Sequence, residues 1–326
     1  MIAYILRSLA QAVMVMLAVA LLAFSMFRFV GDPVANMVGQ EASVAERAEL
    51  AERLGLNDPF PVQFFHFVRD AARGQFGMSY RQGRPVRDLL AERVPATLEL
   101  ALLSSLFALV FGIALGVYAA INRRGVLANL AMSLSLVGVS LPTFLIGIGL
   151  IYLFAVELRW LPSFGRGDVV RFGWWSTGLL TETGRKSLIM PALTLGLFQM
   201  TLIMRLVRAE MLEAMRTDYV KFARARGIPE RSISFRHALR NTMIPVITIA
   251  GLQFGSVIAF AIVTETVFQW PGLGALFVQA VQFVDIPVMA AYLMFVALVF
   301  VVVNLAVDLL YFAVDPRLRG STAAAK

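Results

Sequence analysis

The sequence predicts an all-α membrane protein with six transmembrane helices and an external helical insert after the first. Hydrophobic residues make up 59% of the 326 residues, and the mean hydropathy of +0.76 is too high for a soluble domain. Six apolar stretches are long enough to cross a bilayer. They cover approximately residues 9–27, 96–121, 127–155, 188–212, 243–268 and 287–314.

The first apolar stretch resembles a signal peptide, and Ala18-Val19-Ala20 mimics a cleavage site. Its apolar run is longer than that of a signal peptide and continues past this site, so we expect a retained transmembrane helix over residues 1–30. We predict four further segments. These are an external insert at 31–95, a five-helix core at 96–315, a cytoplasmic loop at 213–241 within that core, and a cytoplasmic tail at 316–326.

The insert contains three predicted short helices. Ser43 and Glu46 form a capping box that starts the first, which is expected to end near Gly55. The other two are predicted over 61–72, closed by Gly74, and over 85–93. The aromatic residues of the insert favour packing against the membrane domain.

Two features within the apolar stretches predict how the helices pack. Ser140-Leu141-Pro142 breaks the third stretch, which a membrane tolerates only where protein or a cavity satisfies the freed backbone groups. The pairs Gly112/Gly116 and Gly251/Gly255 allow close approach of neighbouring helices.

The distribution of positive charge predicts that both termini face the cytoplasm. With the N-terminus inside, 15 Lys and Arg residues are cytoplasmic and 6 are external when the long insert is omitted. The net charge of +8 follows from this bias, so nucleic-acid binding is not expected. Five basic residues oppose the rule in the outer loop: Arg159, Arg166, Arg171, Arg185 and Lys186.

The long polar segment of the second half, DYVKFARARGIPERSISFRHALRN, spans residues 218–241. We predict a short helix capped by Asp218, a turn at Gly227, and a second helix entered through Pro229. Tyr219, Phe222, Ala223 and Arg226 recur at helical spacing, so the first helix has a partly apolar face. Such a helix suits docking into a partner's groove. The alternative is a solvated basic loop that only sets topology.

The same segment resembles the cytoplasmic EAA loop of ABC importer permeases, in the form found in the dipeptide/oligopeptide permease family. The pattern D-Y-V-x-x-A-R-A-x-G, followed by H-A-L-R-N-x-x-I-P, fits this sequence from Asp218 to Pro245. The generic form matches only at Ala223, Gly227 and Leu239. Further similarity extends from MIAYILRSLAQ to VDPRLRG and includes LGLNDPFPVQFFHF in the insert, as in the first, B-type permease with its long external loop.

The resemblance implies a type I ABC importer permease fold and a partner ATPase that receives the loop. The coupling residues that it implies are Asp218, Tyr219, Phe222, Ala223, Arg224, Arg226, Gly227, His237, Leu239 and Arg240. It also implies a second homologous permease, two ATPase subunits that bind ATP and Mg²⁺, an external solute-binding protein and membrane lipid. This chain has no nucleotide motif, so it is expected to bind no cofactor and to catalyse no reaction.

Two further groups of residues are candidates for the transport path. Polar residues within apolar helices are functional candidates, here Gln199, Gln253 and Asn304. For Gln253 and Asn304 the alternative is a hydrogen bond between helices. The segment ETVFQWPGLG resembles the family pattern E-x-V-F-x-x-P-G-L-G after the fifth helix, and we interpret it as an external gate or docking loop. Its candidates are Glu265, Phe268, Trp270, Pro271, Gly272 and Gly274, and the alternative for its aromatic residues is an interfacial belt.

Other functions have less support from the sequence. There are no cysteines, and His66 and His237 are predicted on opposite sides of the membrane, so no metal site is expected. No HExxH or Gly-x-Ser-x-Gly motif is present. An ATP-independent channel or carrier would not need the docking loop, and a receptor or scaffold would move no solute. The solute stays open among peptides, nickel chelates, glutathione and opines.

Overall fold

The structure is a computed structural model, and it describes residues 2–29, 43, 45, 46, 52 and 57–314. Its long helices are α1 (Ile2–Phe29), α3 (Val86–Ile121), α6 (Glu182–Ala214), α8 (Glu230–Val267) and α10 (Ile286–Val314). Shorter helices are α2 (Phe60–Ala72), α4 (Val126–Ser140), α5 (Thr143–Leu150), α7 (Asp218–Ala225) and α9 (Leu273–Gln282). Strands β1 (Val170–Phe172) and β2 (Trp175–Thr177) form an antiparallel hairpin.

The predicted membrane architecture is confirmed. The five long helices are each apolar and long enough to cross a bilayer. The remaining predicted crossing is divided at Pro142, as expected, into α4 and α5, and α5 continues as a π-helical stretch, Ile151–Glu157. A second π-helical stretch, Ile233–Ala238, lies near the start of α8.

The insert differs from the prediction at its end. Residues 85–93 were expected to form a separate short helix, but they are the first turns of α3, which runs through Pro95 without ending. With 36 residues α3 is about 54 Å long, well beyond the roughly 30 Å of a bilayer core, so it projects from the membrane. The predicted helix at 43–55 lies mostly outside the described residues, although the Ser43–Glu46 capping box is formed.

Aromatic packing holds the insert against the bundle. The Phe24 ring of α1 lies 5.2, 5.6 and 5.7 Å from the rings of Phe60, Phe64 and Phe67 on α2. The predicted packing of the insert on the membrane domain is therefore confirmed for this helix.

Glycines bring α3 close to α6. A Cβ atom at Gly116 would lie 2.7 Å from the Met204 carbonyl oxygen, and one at Gly112 would lie 2.9 Å from the Ile203 side chain. On α8, Gly251 and Gly255 face Val307 and Phe300 of α10 in the same way. The predicted close-packing role of both glycine pairs is confirmed.

The apolar core is layered along α3. The outer layer, around Val86 and Leu90, packs on α9 and α10. The middle layer, around Leu100, packs on α6, α8 and Trp270. The inner layer, around Val117, packs on α6 and the start of α8. The helix α3 therefore contacts most of the bundle along its length.

Substitution of Gly116 tests the α3–α6 packing. We expect Gly116→Ala to lower the free energy of unfolding by about 1–3 kcal/mol, because the new methyl group meets a backbone carbonyl that cannot rotate away. Gly149→Ala is the matched control, since nothing lies within 4 Å of its Cβ position. Denaturation of the purified protein in detergent measures both, and equal stability of the two variants would contradict the packing.

Candidate functional site

The polar segment between α6 and α8 folds as a helix, a turn and a second helix, as predicted. Gly227 has φ +75°, and its amide donates to the Arg224 carbonyl at 2.9 Å. No atom of the described residues lies within 4 Å of its Cβ position, so the positive φ, rather than crowding, favours glycine here. Pro229 precedes the first turn of α8, with Glu230 in that turn.

The two sides of α7 differ sharply. Val220 and Ala223 are buried and pack against Ile233 of α8. Tyr219 and Phe222 project from the other side, with 39% and 62% of their surface exposed. The buried side fixes α7 to the bundle, and the exposed side leaves two aromatic rings uncovered in this chain. We call Tyr219, Phe222 and Arg226 the docking surface. Phe235 on α8, which was not a predicted site residue, is 52% exposed as well.

Charged contacts fix the shape of the helical pair. Arg224 donates to both carboxylate oxygens of Glu230, at 2.5 and 3.2 Å, and so links α7 to α8. The guanidinium carbon of Arg226 lies 4.9 Å from the centroid of the Phe222 ring. This contact orients Phe222 on the exposed side.

The predicted capping role of Asp218 is wrong. Thr217 occupies the N-cap position, and Asp218 is the first helical residue. Its carboxylate accepts a 2.9 Å hydrogen bond from Lys221, which lowers the pKa of Asp218. A negative charge in the first turn still stabilises the helix through its interaction with the helix dipole.

The remaining predicted coupling residues lie on the first turns of α8. His237 and Leu239 are half-buried, and Arg240 is exposed. Leu239 and Phe235 line a cavity of about 570 Å³ between α8 and the end of α3. The start of α8 therefore has open space beside it.

The predicted outer loop is bound tightly to α3. Glu265 is fully buried in α8, and its carboxylate accepts from the Thr97 hydroxyl at 2.6 Å and the Ala275 amide at 2.9 Å. The Thr97 hydroxyl oxygen also accepts from the Leu273 amide at 2.8 Å. The indole of Trp270 donates to the Ala96 carbonyl at 3.1 Å.

The side chains of this loop do not project as expected. Phe268 and Trp270 are 2% and 0% exposed, so they form neither an interfacial belt nor an exposed plug. The loop is short, because α9 begins at Leu273 and includes Gly274. A side chain at Gly272 would collide with the Glu265 carboxylate, so glycine is required there by space. Pro271 links Trp270 to the bend at Gly272.

Two of the three predicted pathway residues share one cavity. Gln199 of α6 and Gln253 of α8 line a space of about 250 Å³ together with Ser256 and Thr143. The Ser105 hydroxyl lies 3.4 Å from the Gln199 side-chain oxygen. Asn304 does not line this cavity. It lies on α10 between Phe300 and Val307, and its buried side-chain oxygen has no hydrogen-bond partner among the residues that the structure describes.

A buried ion pair between α3 and the segment that precedes β1 was not predicted. Arg166 donates to Glu99 at 2.6 Å, and their side chains are 7% and 3% exposed. Glu99 also accepts from the Thr177 hydroxyl at 2.6 Å and the Gly178 amide at 3.0 Å. The pair fixes the β-hairpin to α3. Arg166 is one of the five basic residues that oppose the positive-inside rule, and its position is explained by this structural role.

Asp285 anchors the end of the insert. Its carboxylate accepts from the Ser79 hydroxyl and from the amides of Tyr80 and Arg81, at 3.1 and 3.3 Å for the amides. Burial, together with the negative charge of Asp285, raises the pKa of Tyr80 to about 12. Tyr80 therefore stays neutral beside the carboxylate.

Comparison with known proteins identifies the family. The model for the binding-protein-dependent transport system inner membrane component matches residues 112–320. The model for the N-terminal part of these membrane components matches residues 1–101. This chain belongs to that family of transport permeases. The predicted family is confirmed as an ABC permease of the dipeptide/oligopeptide type.

Full-length relatives come from two transport systems. The dipeptide transport system permease protein DppB of Alkalihalophilus pseudofirmus is 36% identical over 98% of this chain and 100% of its own length. The glutathione transport system permease protein GsiC is 37% identical in both Shigella flexneri and Escherichia coli, over 98% of this chain and 99% of theirs. The chain is a multi-pass inner membrane protein of this family.

A solved structure supports the fold. An inward-facing conformation of the MetNI methionine ABC transporter contains a chain with a TM-score of 0.55 and 20% identity, covering 70% of this chain and 96% of that one. The similarity extends over most of the helical core and confirms the predicted importer permease fold.

The buried pair of Glu99 and Arg166 can be tested by removing one charge. We expect Glu99→Gln to lower the free energy of unfolding by about 3–5 kcal/mol, because it leaves the Arg166 guanidinium buried without a counter-charge. The control is Glu92→Gln, which breaks the exposed pair with Arg84 and is expected to cost less than about 1 kcal/mol. Denaturation in detergent gives both values, and limited proteolysis within 158–181 should increase only in Glu99→Gln. Equal small losses would mean that the pair does not anchor the hairpin.

Proposed function

We propose that this chain is the permease subunit of an ATP-driven importer for peptides or closely related solutes. The observation that carries the proposal is the docking surface, which exposes aromatic rings on a helix fixed between two long membrane helices. The family and its full-length relatives support the same conclusion. Solute would cross by alternating access, with the bundle responding to ATP-driven closure of the partner subunits.

The partners follow from what the chain provides. The docking surface would receive one of two ATPase subunits, which bind ATP and Mg²⁺ and perform the hydrolysis. This chain would pair with a second homologous permease and receive solute from an external binding protein. Its own role would be non-catalytic, consistent with relatives that are named as transport permeases. A channel or carrier without ATPases would leave Tyr219 and Phe222 without a role.

Removal of an exposed aromatic ring tests the docking surface. We expect Phe222→Ala to weaken binding of the ATPase by about 2 kcal/mol, because large aromatic side chains dominate such contacts. ATP hydrolysis stimulated by loaded binding protein should fall in reconstituted vesicles. The control is Phe65→Ala, an equally exposed ring on α2 that is expected to leave stimulation unchanged. Wild-type stimulation in the folded Phe222→Ala complex would contradict the proposal.

We further propose that the insert lies outside and that the termini and the 213–241 loop lie inside. The excess of positive charge on the loop side supports this orientation. The absence of cysteine from the sequence allows single-cysteine labelling. In sealed cells, an impermeant maleimide is expected to label Arg73→Cys and to leave Arg231→Cys unlabelled until the cells are opened. The reverse pattern would overturn the orientation.

We also propose that the cavity lined by Gln199 and Gln253 belongs to the solute path. Its polar lining consists of carboxamide and hydroxyl groups, which can bond the amide backbone of a peptide whatever its side chains. Replacing both glutamines by leucine is expected to reduce peptide uptake at least tenfold with normal subunit assembly. Gln279→Leu, on α9 and outside the cavity, is the control. Unchanged uptake in the double variant would place the path elsewhere.

A further inference from the structure

The segment 158–181, between the π-helical end of α5 and the start of α6, presents many large apolar side chains. We call it the aromatic hairpin segment, since it contains β1 and β2 and the tip between them. Its strongly exposed members are Trp160 (65%), Phe164 (53%), Phe172 (59%), Trp174 (67%) and Leu180 (61%). Apolar side chains on this scale imply a covering partner or an apolar phase.

Unpaired arginines accompany these aromatic residues. Arg159, Arg171 and Arg185 are exposed, and within the described part of the chain none forms an ion pair within 4 Å. The acidic groups nearby are already engaged. Asp168 accepts from the Thr183 hydroxyl and Glu182 from Lys186, each at 2.7 Å. Glu92, which faces Arg171, is held by two bonds from Arg84.

The depth of the segment follows from its anchor. Glu99, which holds Arg166 and the hairpin, precedes the inner end of α3 at Ile121 by 22 residues, or about 33 Å. The hydrocarbon core is about 30 Å thick, so this anchor lies at the outer boundary of the hydrocarbon when α3 crosses without strong tilt. The segment also begins and ends at helices that cross the membrane. It therefore lies at the level of the lipid headgroups.

We propose that the aromatic hairpin segment is an interfacial lipid-binding element that takes anionic phospholipid headgroups of the outer leaflet. Trp160, Phe172 and Trp174 lie among the upper acyl chains and glycerol groups. Arg159, Arg171 and Arg185 bind the phosphates. Charge complementarity favours anionic lipid over a protein partner, because none of the three guanidinium groups forms a close ion pair within the described residues. The carboxylates nearest to Arg171 and Arg185, those of Glu92 and Glu182, are bonded by Arg84 and Lys186. The proposal also accounts for basic residues on the side of the membrane where the positive-inside rule disfavours them.

The buried pair gives this element its rigidity. The Arg166 guanidinium donates to Glu99, to the Ser176 hydroxyl at 2.8 Å and to the Ser176 carbonyl at 2.7 Å. The strand β2 is thus held to α3 at a fixed height. A rigid hairpin attached to α3 would keep the same depth while neighbouring helices shift.

Tryptophan fluorescence offers a direct test, because the chain has four tryptophans and Trp270 is fully buried. The variant Trp160→Phe/Trp175→Phe retains Trp174 and Trp270. The further variant that also carries Trp174→Phe retains Trp270 alone and supplies the background. Each is placed, as the assembled permease complex, in nanodiscs containing phosphatidylcholine and phosphatidylglycerol. The quenchers are acrylamide in water and lipids brominated either near the headgroup end or near the methyl end of the acyl chains.

Trp174 is expected to be quenched strongly by bromine near the headgroup end, and weakly by bromine near the methyl end and by acrylamide. Strong acrylamide quenching without lipid quenching would overturn the proposal in favour of a water-exposed loop. Shielding from all three quenchers in the complex, but not in the isolated chain, would overturn it in favour of contact with a partner protein.

Titration of brominated phosphatidylglycerol into phosphatidylcholine nanodiscs tests the arginines. Each of Arg159→Gln, Arg171→Gln and Arg185→Gln is expected to lower the preference for the anionic lipid by about fivefold. Arg87→Gln, an exposed arginine near the start of α3, is the control and should leave the preference unchanged. Equal quenching by brominated phosphatidylcholine and phosphatidylglycerol in the wild type would remove the anionic headgroup from the proposal.

Discussion

Within the described residues, the end of the molecule that carries the β-hairpin and the insert depends on three buried carboxylates. Glu99, Glu265 and Asp285 each have 3% or less of their surface exposed. A buried charge is stable only when donors surround it, and the donors here come from segments distant in sequence. Glu99 accepts hydrogen bonds from the hairpin and the segment before it. Glu265 accepts them from α3 and α9, and Asp285 from the end of the insert. Removing any one carboxylate would leave several buried donors unpaired, so the outer loops form one rigid layer.

Apolar contacts, rather than hydrogen bonds to buried charges, hold the opposite side together. The docking surface is attached through a small apolar cluster, Val220, Ala223 and Ile233, and through one exposed ion pair. Apolar contacts lack direction and tolerate small rotations, whereas hydrogen bonds to a buried charge do not. The π-helical stretch Ile233–Ala238 and the adjoining 570 Å³ cavity add room for movement. This side is therefore suited to respond to a partner, and the outer side to keep its shape.

The sequence predicted what depends on local pattern. The length of the apolar stretches predicted the membrane crossings. Pro142 predicted the helix break, and Gly227 predicted the turn before α8. It could not predict that α3 continues through Pro95, because a proline at that point resembles a boundary. Contacts between residues far apart in the sequence could not be predicted either. Glu99 and Arg166 are 67 residues apart, and the sequence pattern around each does not show that they pair. Trp270 was assigned to an external gate or docking loop, with an interfacial belt as the alternative, because the sequence pattern does not show that its indole donates to the Ala96 carbonyl.

The helix α3 joins the two sides. Gly112 and Gly116 place it against α6, whose inner end leads directly into α7, and at Gly116 the neighbouring atom is a backbone carbonyl. At its outer end, α3 presents Ala96, Thr97 and Glu99 to Trp270, Glu265 and Arg166. A displacement of the docking surface would therefore move α6. It would also move α3, because the close contacts at Gly112 and Gly116 prevent the two helices from sliding past each other. Because the outer layer is rigid, we expect it to move with α3 as one body, so that the outer opening would arise where this body meets the partner permease.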